Sequence, residues 1–318
     1  LKLEQNLLYP KKRKAMEEIA KGNKDVSETI YEIAKAEIRK RIREIYGEIY
    51  ALNKEKEGIK KGIELLNSLK IALSGKISSG ENQENFLKIE VNLYRYETKL
   101  KEIEDNIFIL FEELKRITGY SLNFNDLKIS NLMEYSFDER VKEKARENSP
   151  LLKYYSTLER LNEKELLKSK LDLKPNIIAF SGLGLRGGME PVITLGTSIE
   201  LPFWKKAKEI PLILAQEKKI EGLKEMMNEA LLKIEEDING AMEQVKNLDE
   251  RIKLYNEGYL KSASLTIEAA ISLYVSAKGD FSTVMENINL WIEGIVEVSK
   301  LEAEKFKAYS KILFHLEN

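Results

Sequence analysis

The sequence predicts a mainly α-helical protein in which long antiparallel coiled-coil helices flank one β-hairpin. Three observations lead to this fold class. Apolar residues recur in steps of three and four over two large blocks of the chain, as they do in coiled coils. All six prolines lie at position 10 or between positions 150 and 211, so both blocks are free of helix breakers. Between the blocks, residues 174–204 show the alternation of β-strands.

Composition narrows the class of function. The chain has 318 residues, of which 52 are basic and 53 acidic, so it lacks the net positive field that attracts nucleic acid. Cysteine is absent, and the sole histidine, His315, has no second histidine with which to form a metal or catalytic centre. No run of 18 uninterrupted apolar residues is present, which excludes a membrane-spanning helix. We expect no cofactor.

The first third of the chain predicts a strand and two long helices. Residues 1–10 are expected to form a short strand, because apolar and charged residues alternate at its start. A helix follows from residue 11 to about 73, and a turn at 78–81 separates it from a second helix over about 84–118. The apolar seam keeps its steps of three and four residues through both helices, so residues 11–118 predict a first helical hairpin.

The middle of the chain is expected to be less regular. Residues 119–149 are mixed and polar, and they predict irregular structure with one short helix over about 139–147. Pro150 suits the first turn of a helix, where a backbone N–H has no intrahelical acceptor. A returning helix is therefore predicted within residues 150–173, with its end near Leu171.

Residues 174–204 predict a β-hairpin with two arms. The first arm, 175–186, is apolar and contains several glycines. The second arm, 191–201, has one apolar and one polar face. The turn is expected in the residues between the arms and at the start of the second, namely Gly187, Gly188, Glu190 and Pro191. Each arm has about 11 residues, the length that a tilted strand needs to cross the hydrocarbon layer of a bilayer.

The remaining residues, 205–318, predict a second helical hairpin. A helix is expected over about 205–275, and after a turn at 277–280 a last helix is expected to about Leu316. The seam of the first of these helices includes Tyr255 and Tyr259, which are expected to be packing residues.

The two halves of the chain show signs of an internal duplication. LLYPKKRK at residues 7–14 aligns with LPFWKKAK at residues 201–208, where in each half a strand ends and a helix begins. A duplication predicts that a helix and a strand precede Leu1 in the natural protein, which gives four strands per complete chain. Four strands cannot close a membrane barrel, because closed barrels have at least eight, so oligomerisation is expected.

Four motifs in the same order resemble the TolC-like outer-membrane efflux protein family, over essentially the whole chain. LEQNLLYPKKR at 3–13 resembles the family's segment of Gln, a short apolar run, an aromatic residue, Pro and a basic pair. ENSPLLKYY at 147–155 resembles its Asn-Pro-x-Leu helix start, with one residue inserted before the proline. LKPNIIAFSGLGL at 173–185 is similar to its Pro-led strand, and YVSAKGDFSTVMEN at 274–287 to its Tyr-x-x-Gly, Asp-Phe turn. Ala277 stands at the place of that glycine.

The resemblance implies a homotrimer in the outer membrane of a Gram-negative bacterium. Its strands form a 12-stranded β-barrel, and its helices form an α-barrel that continues the tunnel through the periplasm. The partners implied are outer-membrane lipid, a periplasmic membrane-fusion adaptor protein and an inner-membrane pump of the RND or ABC type. The implied activity is that of an exit duct in tripartite efflux or type I secretion, and the motif at 274–287 favours the heavy-metal branch.

The resemblance also implies three groups of site residues. The first group is a gate at the periplasmic mouth, which consists of Asp280 and Glu286. Copies of these two carboxylates form rings that favour cations. The tips that contact the adaptor consist of Ser79, Gly80, Ala277, Lys278 and Gly279. An aromatic girdle at the membrane interface consists of Tyr9, Phe203 and Trp204.

Each group also has a simpler interpretation. The two carboxylates are explained as solvated groups near a turn, the tip residues by ordinary turn chemistry, and the aromatic residues by packing at the junction of strand and helix. The basic run at residues 11–14 is interpreted either as a site for anionic headgroups or as a solvated helix start.

Three classes of function therefore remain at the level of the sequence. A passive exit duct is favoured by the length and the one-sided alternation of the hairpin. A soluble coiled-coil scaffold, whose hairpin caps a helical bundle, is the alternative. An enzyme is the least supported class, because no nucleophile, base and orienting group can be assembled from the residues present.

Overall fold

The computed structural model describes residues 2–7, 9–74, 80–121, 123–124, 131–138, 140–200, 207–276 and 278–316. In this part of the chain the predicted fold class is confirmed, because long helices accompany one small antiparallel sheet. The strands are β1 (Lys2–Leu7), β2 (Asn176–Arg186) and β3 (Met189–Glu200). The helices are α1 (Pro10–Ser74), α2 (Gly80–Thr118), α3 (Val141–Asn148), α4 (Pro150–Leu171), α5 (Glu209–Leu254), α6 (Leu260–Val275) and α7 (Phe281–Leu316).

The longest element is α1, whose 65 residues extend over roughly 100 Å at 1.5 Å per residue. Its sequence contains no proline after Pro10, which occupies the first helical position as expected for a residue without an N–H. α2 ends before Gly119, whose φ of 69° is a left-handed conformation that glycine adopts without strain. None of the described helices is both long enough and apolar enough to cross a membrane.

The helix predicted over about 205–275 corresponds to α5 and α6 with a π-turn between them. The π-turn comprises residues Tyr255–Tyr259. The steps of three and four residues continue through Tyr255 and Tyr259, and for this reason the sequence pattern does not reveal the interruption.

The chain divides into two compact units. The strand-bearing unit comprises Leu1–Ala36, Lys142–Glu235 and His315–Asn318, and the all-helical unit comprises Glu37–Val141 and Glu236–Phe314. Residues of α1, α5 and α7 belong partly to one unit and partly to the other.

In the strand-bearing unit, α4 packs against both α1 and α5. The α4–α5 contact contains a buried asparagine, Asn162, whose Oδ1 accepts a hydrogen bond of 3.0 Å from Gln216. The Asn162 amide donates to the carbonyl of Leu158, so the buried side chain is satisfied on both sides. On the α1 side, Lys164 forms an ion pair of 3.4 Å with Glu18.

The sheet of this unit has the order β1-β2-β3, and both strand pairs are antiparallel. A two-residue turn at Gly187 and Gly188 joins β2 to β3, and Gly188 has a φ of 75°. The prediction that Glu190 and Pro191 belong to the turn is wrong, because β3 begins at Met189. The pairing register shifts between Gly184 and Arg186, so Pro191 lies beside an irregularity where a missing N–H is tolerated.

In the all-helical unit, a hydrophobic core extends along α1, α2, α6 and α7. Side chains of α7 lie over glycines of α1. A side chain at Gly62 would lie 2.3 Å from Ile292, and one at Gly58 would lie 2.6 Å from Ile295. Isoleucine side chains of α7 therefore occupy the space above these glycines, which holds α7 tightly against α1.

Residues 131–138 of the irregular segment pack within this unit through aromatic side chains. Tyr135 and Phe137 are stacked 6.3 Å apart, and both rings also contact Tyr309 of α7. The Tyr46 hydroxyl of α1 donates a hydrogen bond of 2.9 Å to the carbonyl of Asn131. These contacts fix a segment without regular structure against two helices.

Candidate channel surfaces and tip

One face of the sheet is apolar and exposed. In the observed register, Leu3 of β1 lies opposite Ser181 of β2, which lies opposite Leu195 of β3. Leu3 is 73% exposed and Leu195 78% exposed. The same face carries further exposed apolar side chains, which are Ile177, Leu183, Ile193 and Ile199. A contiguous apolar face of this kind marks a contact with lipid or with another protein.

The opposite face of the sheet is more polar and carries small residues. Phe180 lies between Glu4 and Gly196 in the register, and its ring covers the glycine, since a side chain at Gly196 would lie 2.4 Å from the Phe180 ring. The Lys2 ammonium lies 5.8 Å from the centre of this ring. Thr194 and Ser198 continue the face along β3. The two faces therefore differ in the way the sequence alternation predicts.

The junction of α1 with the sheet contains a buried lysine. Lys12 is 3% exposed, and its ammonium donates hydrogen bonds of 2.8 Å to the Lys174 carbonyl and 2.7 Å to Asn176 Oδ1. The carboxylate of Asp172 lies 3.8 Å away. The interpretation of residues 11–14 as a solvated helix start is therefore wrong for Lys12, which ties the first turn of α1 to the segment that leads into β2.

The girdle residues are described only in part. Tyr9 is 40% exposed and directly precedes α1, where its carbonyl accepts hydrogen bonds from the N–H groups of Lys12 and Arg13. Phe203 and Trp204 lie outside the described residues. The girdle remains a prediction.

The tip between α6 and α7 is closed by hydrogen bonds to one carbonyl. The Leu273 carbonyl accepts from the N–H of Lys278 at 2.9 Å and from that of Gly279 at 3.1 Å. A side chain at Gly279 would lie 2.8 Å from Leu273 Cβ and 3.1 Å from its backbone carbon. Gly279 is therefore the glycine that this close approach requires. Phe281, the first residue of α7, is 1% exposed, and its ring contacts the ring of Tyr274.

The other predicted tip residues are described to different extents. Gly80 is the first residue of α2, and Lys278 is exposed. Ser79 and Ala277 lie outside the described residues.

The two gate residues are exposed in the all-helical unit. Asp280 directly precedes α7, and Glu286 lies in its second turn. Glu286 and Lys88 of α2 line the same recess, which has a volume of about 360 Å³. A hydrogen bond from Lys88 to Glu84 and the charge of Asp280 raise the pKa of the Lys88 ammonium. Lys88 is not among the site residues predicted from the sequence, because a lone lysine on a helix rich in charged residues does not mark a site.

Three adjoining recesses form a groove along α2 and α7, with α1 as part of its floor. Their volumes are about 360, 540 and 540 Å³. The α7 side carries four glutamates at heptad-like spacing together with two lysines, which are Glu286, Glu293, Glu297, Glu304, Lys300 and Lys307. The α2 side carries three basic residues and one glutamate, which are Lys88, Arg95, Lys99 and Glu102. Among the described residues, no group of three or more histidine, aspartate or glutamate side chains is arranged to hold a metal ion.

No protein-family model and no curated protein matches the chain. Several solved structures match it with high similarity of fold. The outer membrane protein VceC from Vibrio cholerae is 15% identical, with a TM-score of 0.81, and the match covers 99% of this chain and 78% of VceC. The outer membrane channel CmeC from Campylobacter jejuni is 14% identical, with a TM-score of 0.80 and coverage of 99% and 70%.

The open state of the outer membrane channel MtrE from Neisseria gonorrhoeae is a further match. It is 11% identical, with a TM-score of 0.80, and the match covers 99% of this chain and 74% of MtrE. The resemblance inferred from the four sequence motifs is thus confirmed at the level of the fold. This chain has the fold of TolC-like outer-membrane channels.

Proposed function

We propose that this protein is the outer-membrane exit duct of a tripartite efflux or type I secretion system. The observation that carries the proposal is the exposed apolar face of the sheet, in a chain that has the fold of outer-membrane channels. Lipid is the occupant that suits this face, because the strands have the length of tilted membrane strands and their other face is more polar. Transport through the duct is passive, with energy supplied by an inner-membrane pump.

The proposed assembly is a homotrimer in the outer membrane of a Gram-negative bacterium. The strands of the three chains together form a 12-stranded barrel, and closure of the barrel pairs the edge strands that a single chain leaves open. The long helices form an α-barrel in the periplasm. Lys12 then ties the first turn of α1 to the segment that leads into β2 in each of the three chains.

The periplasmic partners are a membrane-fusion adaptor and a pump of the RND or ABC type. The tip residues Gly80, Lys278 and Gly279 support adaptor contact by their position at the ends of α2 and α6. The groove between α2 and α7 suits a helical segment of the adaptor, because charged residues of both signs line it at heptad-like spacing.

Asp280 and Glu286 are proposed as the gate. In a trimer each contributes a ring of three carboxylates, which concentrates cations at the mouth of the tunnel. Lys88 from α2 lies within the field of Asp280 and moderates this charge.

The experiment that tests the proposed function combines mass and conductance. Full-length protein purified in detergent is expected to have the protein mass of a trimer and to form channels in planar bilayers. Leu195→Asp is expected to abolish channel formation, because it places a charge on the lipid-facing side at a position that is 78% exposed in the single chain. Thr194→Asp, one residue away on the other face, is the matched control and is expected to conduct.

The alternative of a soluble coiled-coil scaffold makes the opposite predictions. A scaffold stays in solution without detergent, and its two aspartate variants behave alike. Water-soluble monomer from the full-length chain would overturn the exit-duct proposal. The fold of the solved channels does not favour the scaffold.

A further inference from the structure

Three segments of the strand-bearing unit meet at one end of its sheet. β1 and β3 are both antiparallel to β2, so they run in the same direction and end at the same edge of the sheet. α1 begins shortly after β1, and the link from α4 leads directly into β2. An ion pair of 3.0 Å between Lys170 and Glu217 places the N-terminal part of α5 beside the end of α4.

Exposed basic side chains collect on these three segments. They form what we call the basic surface, which consists of Lys11, Arg13, Lys14, Lys174 and Lys208. None of the five forms an ion pair with another residue that the structure describes. The charge of the basic surface is therefore available to an anionic partner.

The carboxylates nearest to these residues do not neutralise them. Asp172 pairs with Lys168 at 2.8 Å and lies 3.8 Å from the buried Lys12. Glu17, in the second turn of α1, pairs with Lys21 at 2.8 Å. Glu209 directly follows Lys208, but one of its carboxylate oxygens is buried.

The other end of the sheet has no comparable excess of positive charge among the side chains that the structure describes. Lys2 is paired with Glu4 of the same strand. Near the turn at Gly187 and Gly188, the described charged side chain is the exposed Glu190. The two ends of the strands therefore differ in charge.

The internal duplication repeats the basic residues at this end. KKRK at residues 11–14 follows β1, and KKAK at residues 205–208 follows β3. Lys12 of the first run is not part of the basic surface, because its ammonium is buried and bonded to the Lys174 carbonyl and Asn176. These bonds hold the start of α1 against the link that carries Lys174.

The apolar face of the sheet extends as far as the basic surface. Ile177 and Ile199 lie opposite each other in the last rows of the strands, and they are 44% and 61% exposed. Tyr9, also exposed, lies between the end of β1 and the start of α1. Apolar side chains, an aromatic residue and then basic residues follow one another, as they do where a protein passes from the hydrocarbon layer into the headgroups.

We propose that the basic surface binds the headgroups of anionic phospholipids in the periplasmic leaflet of the outer membrane. The inference rests on the proposed function, because lipid against the apolar face of the sheet places this end of the strands at the border of the membrane. The lysine and arginine side chains contact the lipid phosphates, and their net charge favours a lipid that is anionic over one that is zwitterionic. The periplasmic leaflet is the one concerned, since the helices begin at this end.

The test compares two lipids on the full-length protein. Trimer in neutral detergent is mixed with equal amounts of phosphatidylglycerol and phosphatidylcholine, and the lipids that remain bound are counted by native mass spectrometry. The wild type is expected to retain phosphatidylglycerol in preference to phosphatidylcholine. Equal retention of the two lipids by the wild type would overturn the proposal.

A triple variant tests the residues of α1. Lys11→Gln with Arg13→Gln and Lys14→Gln is expected to lower the preference for phosphatidylglycerol about tenfold or more, because each basic residue near an anionic surface strengthens binding about fivefold. The matched control changes three exposed lysines of the all-helical unit, as Lys60→Gln with Lys61→Gln and Lys101→Gln, and is expected to keep the preference. An equal loss in the two variants would show that only net charge matters and would overturn the assignment.

Lys174→Gln covers the case in which the triple variant does not assemble. Its side chain is exposed and outside the helices, and the substitution is expected to lower the preference about fivefold. Inorganic phosphate separates a lipid headgroup from a free anion. At equal ionic strength, phosphate and chloride are expected to release phosphatidylglycerol to the same extent, because both act by screening. Release by phosphate alone would overturn the assignment to lipid.

Lipid preference and conductance are separate measurements, so the two proposals fail separately. If the wild type conducts as a trimer but retains both lipids equally, the basic surface has no such role and the exit duct stands. If no channel forms while retention of phosphatidylglycerol depends on Lys11, Arg13 and Lys14, the lipid site stands and the exit duct fails.

Discussion

Single residues at the ends of helices and strands have structural roles that their residue types alone do not predict. Lys12 is one of four consecutive basic residues, and only the structure shows that its ammonium is buried and bonded to the Lys174 carbonyl and Asn176. These partners are more than 160 positions away in the sequence. A contact over this separation is set by the packing of α1 on the sheet junction, so no local pattern predicts it.

Gly279 gives a prediction at this scale. Gly279→Ala is expected to destabilise the protein by about 1–3 kcal/mol, because the new methyl group would overlap Leu273 and its backbone. Gly240→Ala is the control: it lies inside α5 with nothing within 4 Å and is expected to stabilise by about 0.5–1 kcal/mol. Thermal unfolding of both variants in the same detergent measures the difference. A Gly279→Ala protein as stable as the wild type would contradict the close approach.

Two glutamates of the all-helical unit predict opposite dependences of stability on pH. Burial raises the pKa of Glu302 above its usual value of 4.5, although Lys54 and the hydroxyl of Tyr50 favour its charged form. Hydrogen bonds from Arg41, at 2.8 and 2.7 Å, lower the pKa of Glu113. The folded state therefore favours the protonated form of Glu302 and the charged form of Glu113.

The expected outcome follows from these signs. Protonated Glu302 stabilises the folded state below pH 4.5, and this stabilisation is lost as the pH rises through the pKa of Glu302 in the folded protein. Glu302→Gln should therefore raise the melting temperature at pH 7 but not at pH 4. The stabilisation from Glu113 is present above pH 4.5 and is lost as the pH falls through its folded pKa, so Glu113→Gln should lower the melting temperature at pH 7 and have less effect in acid. Melting curves at the two pH values check both; shifts of the same sign at pH 7 would contradict this assignment.

At the scale of elements, the sequence predicts where helices and strands occur but not how one helix is interrupted. α2 and α4 begin and end within a few residues of the expected positions, because proline, glycine and the heptad pattern mark them directly. The π-turn was missed since Ile252, Tyr255 and Tyr259 continue the apparent seam. Only the positions of Leu248 and Ala263 in the core show that the register changes between them.

In the sheet, too, some features follow from the local sequence pattern and others only from the pairing of strands. Alternation along 191–201 predicts β3 and its two faces, and the glycine pair predicts the turn. The first strand pairs with β2 across more than 160 positions, and this pairing was not specified by any local signal. The shift of register near Pro191 also depends on pairing, because an irregularity is a property of two strands together.

At the scale of the whole molecule, the proposed trimer predicts a selectivity for cations that depends on the tip. Asp280→Asn is expected to lower the cation-to-anion permeability ratio in planar bilayers, because each variant trimer loses a ring of three carboxylates. Asp105→Asn, an exposed carboxylate in the middle of α2, is the control and is expected to leave the ratio unchanged. A ratio that responds equally to both substitutions would mean that net charge, and not the position of Asp280, governs permeation.

The class of fold and the order of its elements follow from the amino-acid sequence alone. Heptad steps, the placement of six prolines and a single stretch of two-residue alternation are local patterns, and local patterns decide helix or strand. The tertiary structure alone decided that Lys12 is buried, that Gly279 must lack a side chain, and that the seam slips by one residue at the π-turn. Each of these three features depends on contacts between segments that pack together in the folded protein, and the spacing of residues in the sequence does not predict that packing.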